Sequence, residues 1–237
     1  MKEKFPTFQN YRQQAEGSFK YYPVFLNLNG KTAVVIGGGK TAERKALTLL
    51  KAGASVKIIS PNITTALEKL KKTGKLAHIK RPYRTGDIKG AFIVIAGTSS
   101  VRINAKIAND AMHPGSGPSR LVNVIDTPSE GNFIAPSIVK RGPLTIAIST
   151  GGSSPAAAKL IRKELEKLYG VEFAHYLRFL GKMRKKALRE IKDSKKRESL
   201  LKNLASEKIF KNLRTRDTSY ISKLIKKEFF KRTTSPR

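Results

Sequence analysis

Runs of apolar residues alternate with amphipathic stretches over the first half of the chain. Continuous aliphatic runs, which predict buried strands, lie at 32–36, 55–59, 91–96 and 121–125. Apolar residues at helical spacing predict helices after Gly39 and over 63–72 and 101–112. Strands that alternate with helices of this length predict an α/β fold with a parallel sheet and right-handed crossovers.

The pattern changes after Asp126. Prolines punctuate a loop-rich stretch, and 144–148 is typical of a strand in a separate small unit. Ser154 and Pro155 predict a helix start, as N-cap and first helical residue, and that helix should extend to Tyr169. Beyond Gly170 the spacing predicts only helices: a long one over 173–191, then short ones near 200–204, 209–213 and 221–225.

These changes predict four parts. Residues 1–20 form a loosely ordered extension, 21–136 a Rossmann-like domain, 137–170 a small α+β unit and 171–237 a basic helical domain.

Composition narrows the function classes. The chain has 237 residues, and at 39% hydrophobic content it can form a packed core. It has no cysteine, which excludes disulfides, thiolate metal sites and thiol catalysis. Residues 1–22 hold no signal-like apolar run, and no stretch approaches the roughly 18 apolar residues of a membrane helix. We therefore expect a cytoplasmic protein without a membrane partner.

The formal net charge is +31, and it is unevenly spread. Residues 159–237 carry 25 Lys and Arg against 9 Asp and Glu, about half of the excess. Such a field attracts nucleic acid, anionic membranes or a small polycarboxylate. Lysines that merely solvate helix faces would give the same count, so charge alone does not choose among these partners.

A glycine-rich turn follows the first strand. Residues 37–42, Gly-Gly-Gly-Lys-Thr-Ala, match the dinucleotide-binding pattern G-x-G-x-x-A. The first glycine allows the tight turn, the third lets the backbone approach a pyrophosphate, and Ala42 lets the helix pack closely. We expect cofactor contacts from Gly37, Gly38, Gly39, Lys40 and Thr41. The alternative is a strand–turn–helix that needs glycine only for its turn.

The end of the second strand lacks the acidic residue that usually holds a ribose hydroxyl. Ser60, Pro61 and Asn62 stand there instead, and no arginine follows directly to pair with a 2′-phosphate. We assign these three residues to the cofactor site and favour NAD over NADP.

Several segments together resemble the precorrin-2 dehydrogenase family, which includes the first module of the multifunctional siroheme synthase. The segments are 23–26 (PVFL), 35–39 (VIGGG), 42–46 (AERKA), 123–128 (NVIDTP), 133–137 (FIAPS) and 148–156 (ISTGGSSPA). They cover residues 21–168 in the family's order, whereas 171–237 match the family's variable tail only in general character. The resemblance implies an NAD-binding domain at 21–136, a dimerisation unit at 137–170 and a homodimer.

The resemblance also implies an activity, the NAD-dependent dehydrogenation of precorrin-2 to sirohydrochlorin for siroheme. It assigns the key catalytic role to Asp126, which lies just past the fourth predicted strand. An Asx-turn or helix cap before Pro128 is the structural alternative for this residue. Thr98 should border the nicotinamide end of the site.

We place Asn123, Ser149 and Thr150 against the substrate, with capping of the following turn as the alternative for the last two. A basic protein would steer and pair with the carboxylates of the tetrapyrrole.

Two other functions stay open. Some members of the family also insert iron, as a substrate, into sirohydrochlorin. No resident metal site is predicted, because His78, His113 and His175 are widely separated. A nucleotide-sensing, nucleic-acid-binding protein is the remote alternative, but no RNA-binding aromatic set or helix-turn-helix supports it, so we expect no nucleic acid partner. The methyltransferase module of the multifunctional enzyme has no counterpart in the strongly basic residues after 170.

Overall fold

A computed structural model describes residues 21–113 and 120–215. The chain divides into two compact units, with the boundary between Ala135 and Pro136. The predicted extension at 1–20 and the helix predicted near 221–225 lie outside the described residues.

The first unit is built on a five-stranded sheet in which every pair of neighbours is parallel. Its strands are β1 (Thr32–Ile36), β2 (Ser55–Ile59), β3 (Leu76–Ile79), β4 (Ile93–Ala96) and β5 (Leu121–Val124). Their order in space is β3-β2-β1-β4-β5. The Rossmann-like parallel sheet predicted from the sequence is therefore confirmed.

Three helices join these strands: α1 (Lys40–Lys51), α2 (Thr65–Lys72) and α3 (Val101–Met112). Alternate residues of a strand face opposite sides of the sheet, so β1 contributes to two cores. Val35 packs in one cluster with Leu67 of α2, whereas Val34 and Ile36 pack in the other with Ile107 of α3. β1 is thus buried on both faces, as its unbroken apolar run predicts.

Strand β3 is absent from the sequence prediction. It is an edge strand in which only Leu76 is buried, so it lacks the apolar run of the other strands. Helix α2 begins at Thr65, two residues later than predicted, because the Thr64 hydroxyl caps it by accepting from the Leu67 amide at 3.4 Å.

The second unit begins with a hairpin of β6 (Ser137–Arg141) and β7 (Leu144–Ile148), which pair antiparallel. β7 was predicted and β6 was not. A two-residue connection joins them, and Gly142 has φ of 57° there, a conformation that side chains oppose. Only Val139 of β6 is buried, which explains why the strand has no apolar run.

Helices complete this unit: α4 (Pro155–Leu168), α5 (Val171–Glu190), α6 (Ser194–Leu204) and α7 (Glu207–Arg214). Ser154 caps α4 as predicted, since its hydroxyl accepts from the Ala157 amide at 3.1 Å. An aromatic cluster around the buried Phe173 and Tyr176 packs α5 against Ile209 and Leu213 of α7. In the described ranges, no helix combines the length and the apolar character that crossing a membrane requires.

Candidate functional site

The chain reverses direction across the sheet between β1 and β4. It runs outward through β2 and β3, then crosses back to β4 and continues to β5. Ligands of open α/β sheets bind at such a switch point, beyond the carboxyl ends of the strands. The ends of β1, β4 and β5 lie side by side there, so β1 and β5 are roughly 10 Å apart at one strand spacing each.

Two glycines of the 37–39 turn are required by close contacts within the protein. Gly37 has φ of 119°, and a Cβ there would lie 2.2 Å from the carbonyl oxygen of Gly97. A Cβ on Gly38 would lie 1.9 Å from the carbonyl oxygen of Asn62. The turn is therefore wedged between the loops that follow β4 and β2, and any side chain at either position would separate them.

The third glycine, Gly39, has open space beside its backbone. A Cβ on Gly39 would meet no atom within 4 Å, and Gly39 is the N-cap of α1 without a side-chain cap. Glu43 is the first residue of α1 whose backbone amide bonds within the helix: it donates to the Gly39 carbonyl at 2.9 Å. The preceding amides point out of the helix end, where the dipole favours anions. This open, uncapped terminus fits the pyrophosphate of a dinucleotide.

Glu43 links α1 to the start of α2. The Thr64 hydroxyl donates to the Glu43 carboxylate and so lowers its pKa, and Lys40 lies 3.4 Å from it. The Thr64 amide also donates to the Gly38 carbonyl at 3.1 Å. Sequence reasoning missed this link, although an acidic residue in the first turn of a helix is a recognisable signal. Of the predicted cofactor residues here, Lys40 is exposed and Thr41 is half-buried.

Ser60, Pro61 and Asn62 lie at the carboxyl end of β2, as predicted. Ser60 is buried, and its hydroxyl donates to the Asn62 carbonyl at 2.7 Å, whereas Pro61 and Asn62 are exposed. The ring nitrogen Nε2 of His78 lies 2.9 Å from the Ser60 carbonyl and ties β3 to this turn. Residues 60–62 thus form a fixed wall, and its exposed face lies beside the glycine turn.

The loop after β4 is held by Asn104, which sequence analysis missed. Asn104 is buried in α3, and its Oδ1 accepts from both the amide (3.0 Å) and the hydroxyl (2.8 Å) of Thr98. Asn104 Nδ2 also donates to the Thr98 carbonyl at 3.1 Å, so the amide, the carbonyl and the hydroxyl of Thr98 are all bonded to Asn104. The signal was a polar residue at a core position of a helix, four residues before the buried Ala108.

Asp126 lies two residues past the end of β5, with an exposed side chain. The Ile125 amide donates to the Ala96 carbonyl at 3.0 Å, which fixes the chain beside the end of β4. The capping alternative is not observed, because Thr127 is the N-cap of the short 3₁₀ turn Pro128–Glu130 and no side chain caps it. Within the described ranges, the Asp126 carboxylate has no hydrogen bond or ion pair.

Asn123 lies on β5 and is buried. Its side-chain nitrogen Nδ2 donates to the Phe133 carbonyl at 3.1 Å, which holds the returning chain against the strand. Its Oδ1 is buried without a hydrogen-bond partner. Direct contact of Asn123 with a substrate, as predicted, would require the Phe133 segment to move.

Ser149 and Thr150 belong to the second unit, at the turn between β7 and α4. The Ser149 hydroxyl accepts from the Gly151 amide at 3.0 Å. The Thr150 hydroxyl accepts from the Ser154 amide and donates to the Ser154 carbonyl, both at 3.1 Å. The turn-capping alternative is therefore present in the structure.

No cluster of three or more His, Asp or Glu side chains suited to a metal ion occurs among residues 21–113 and 120–215.

Family models match segments on both sides of the boundary between the two units. Residues 24–137 match a family model described as putative NAD(P)-binding, and residues 141–168 match one described as sirohaem biosynthesis protein central. A solved structure named "SirC, precorrin-2 dehydrogenase" is 25% identical with a TM-score of 0.72, and the match covers 87% of this chain and 100% of that one.

Curated relatives are longer. The siroheme synthase of Nitrosococcus oceani is 34% identical over 81% of this chain and 41% of its own length. Siroheme synthase 1 of Aeromonas salmonicida is 35% identical over 69% of this chain and 34% of its own length. The chain therefore spans about two fifths or less of the length of these relatives.

Proposed function

Because this chain belongs to the precorrin-2 dehydrogenase family, we propose that it oxidises precorrin-2 to sirohydrochlorin with NAD in siroheme synthesis. The main support is the carboxylate of Asp126, which is exposed and has no partner among the described residues. It follows β5, two strands from β1 and the glycine turn that fits a dinucleotide. A structural aspartate at such a position would cap a turn or pair with a cation, and Asp126 does neither among the described residues.

Different segments of the first unit bind different parts of the dinucleotide. The uncapped start of α1 behind Gly39 receives the pyrophosphate, and the wall of Ser60, Pro61 and Asn62 receives the adenosine ribose. The loop at Thr98, held by Asn104, places the nicotinamide end beyond β4. The bound nicotinamide supplies the acceptor for a hydride.

NAD is the proposed form of the cofactor. Arg81, which follows β3 next to this wall, binds Asp87 with both guanidinium nitrogens, at 2.7 and 2.8 Å. It therefore does not offer the bidentate fork that suits a 2′-phosphate, and the exposed Lys80 offers only a point charge.

The reaction removes two electrons and two protons from precorrin-2. One C–H bond breaks with its electron pair, so that hydride passes to the nicotinamide, and one proton leaves the macrocycle. Asp126 accepts that proton, or stabilises the positive charge that develops in the ring while the hydride leaves. The products are sirohydrochlorin, NADH and a proton, so atoms and charge balance.

Substrate recognition rests on charge and on hydroxyl groups. With a net charge of +31, the protein attracts a carboxylate-fringed macrocycle. Ser149 adds a hydroxyl donor, because its oxygen only accepts from the Gly151 amide, whereas the Thr150 hydroxyl would have to leave the Ser154 carbonyl to do the same. The proposed homodimer is supported by four large apolar side chains that the hairpin and α4 expose: Ile138, Leu160, Ile161 and Leu168.

Replacing the carboxylate tests the proposal. We expect Asp126→Ala to lower kcat by about a hundredfold or more, since general acid–base contributions are of that order, with the Kd for NAD within about twofold of wild type. The rate is followed anaerobically as NADH formation. Ser129→Ala, an exposed change in the same loop, is the matched control and should keep the wild-type rate. An Asp126→Ala protein as fast as wild type would remove the catalytic assignment.

A further inference from the structure

The chain that follows Asp126 returns along the outer edge of β5, where the Asn132 side chain makes two hydrogen bonds in addition to the Asn123 bond described above. β5 is the last strand of the sheet in the described part of the chain, and no strand there pairs with its outer edge. The side chain of Asn132 covers this edge: its Oδ1 accepts from the Val122 amide at 2.8 Å, and its Nδ2 donates to the Arg120 carbonyl at 2.7 Å. Its own amide donates to the Val122 carbonyl at 3.0 Å.

These three bonds close a loop. Residues 125–131 leave the end of β5 and come back beside Val122, so both ends of the loop are fixed to the same strand. The approach is close, because a Cβ on Gly131 would lie 2.6 Å from the Val122 carbonyl oxygen. Inside the loop, the 3₁₀ turn Pro128–Glu130 is supported by two backbone bonds, from Glu130 to Thr127 and from Gly131 to Pro128.

Asp126 is the second residue of this loop, and its own side chain contributes no bond to it within the described residues. On the entry side, the Ile125 bond to β4 fixes its backbone. At the other end of the loop, the backbone amide of Asn132 bonds to the Val122 carbonyl on the outer edge of β5, where a further strand would pair. Two of the three Asn132 bonds come from the side chain. A residue without an amide side chain would leave this end of the loop held only by the backbone bond of Asn132, the long Phe133 amide bond to the Val122 carbonyl at 3.4 Å and the Asn123 bond to the Phe133 carbonyl.

We propose that Asn132 is a positioning residue for the dehydrogenation: it sets the place of the Asp126 carboxylate by fixing the returning end of its loop to β5. This inference rests on the proposed function, in which Asp126 contacts the macrocycle. Asn132 itself acts through Asp126, because both polar atoms of its side chain are bonded to the backbone of β5 and its neighbour.

The first test is a split between rate and binding. N132A should lower kcat by roughly tenfold to a hundredfold, since displacements of about 1 Å in a catalytic group cost up to that factor. The Kd for NAD should stay within about twofold, because the glycine turn lies at β1, two strands away. N109A, an exposed change in the last turn of α3, is the matched control and should equal wild type.

The second test separates positioning from general support of the fold. In D126E the carboxylate is retained but displaced by one methylene, so the precise placement given by Asn132 is already lost. We expect N132A to lower the single-turnover rate at least about threefold less in the D126E background than in the wild-type background. A residue that only stabilises the fold would lower both rates by the same factor.

The outcomes are distinct. If N132A keeps more than half of the wild-type kcat, or if its effect is the same in both backgrounds, Asn132 does not position Asp126. If D126A retains full activity, the proposed function of Asp126 fails first. Should N132A not fold, N132D replaces it in both tests, because it keeps the acceptor for the Val122 amide and exchanges the donor to Arg120 for a carboxylate oxygen that repels that carbonyl.

Discussion

At the scale of single residues, three consecutive positions are glycine for two different physical reasons. Gly37 and Gly38 are enclosed by the carbonyls of Gly97 and Asn62, so the protein itself requires them. Gly39 faces open space, so nothing within the described protein excludes a side chain there. A ligand that approaches the backbone would exclude one.

This difference gives a prediction for a pair of alanine variants. G39A should keep the wild-type Tm but weaken NAD binding by roughly tenfold or more, equivalent to about 1.4 kcal/mol. G38A should lower the free energy of unfolding by on the order of 1–3 kcal/mol, because its Cβ overlaps the Asn62 carbonyl. Thermal melts and NAD titrations measure both effects. A G39A protein that binds NAD as tightly as wild type would mean that no ligand approaches this backbone.

Some of these functional residues could be predicted from the sequence and others could not. Gly37 and Ala42 follow from the spacing of the motif, and Asp126 from family resemblance. Asn104 and Asn132 act through hydrogen bonds to chain segments that fold beside them, and local spacing does not report such partners. The need for Gly38 depends on a carbonyl 24 residues away in sequence, at Asn62.

At the scale of elements, the long connection between β3 and β4 is ordered by side chains rather than by secondary structure. The Arg81 guanidinium binds the Asp87 carboxylate bidentately, and the Arg84 amide donates to the same carboxylate at 2.8 Å. The Tyr83 hydroxyl anchors the connection to α3 by donating to Asp110 at 2.9 Å. The sequence pattern predicts no element here, since these contacts have no periodicity.

Acid should weaken this connection. The Arg81 guanidinium lowers the pKa of Asp87 below its usual range. A carboxyl group with a lowered pKa in the folded state stabilises the fold fully above the ordinary aspartate pKa of about 3.9, and this stability is lost as pH falls through the lowered value. At pH 7, D87N should therefore lower Tm by about 2–4 °C.

Measured by denaturant unfolding, the deficit of D87N should be the same at pH 7 and pH 5 and should shrink below about pH 4. A deficit that grows as the pH falls below that point would contradict the ion pair as its cause.

At the scale of the whole molecule, the alternation of strands and helices carried enough information to predict the parallel sheet. It did not predict β3 or β6, which are a short edge strand and a half-exposed hairpin strand. Charge was least informative, because a net charge of +31 is compatible with several polyanions. The family assignment, which draws on both units, is what favours a carboxylate-rich tetrapyrrole.

The central claim is that a hydride passes from precorrin-2 to a nicotinamide bound at the switch point of the sheet. The direct measurement is to mix the purified protein anaerobically with NAD and precorrin-2 and to follow both products spectroscopically. NADH and sirohydrochlorin should appear together, one for one and at the same rate, and neither should form without the protein. Sirohydrochlorin that forms without NADH, or a failure to form either product with folded, NAD-binding protein, would contradict this claim.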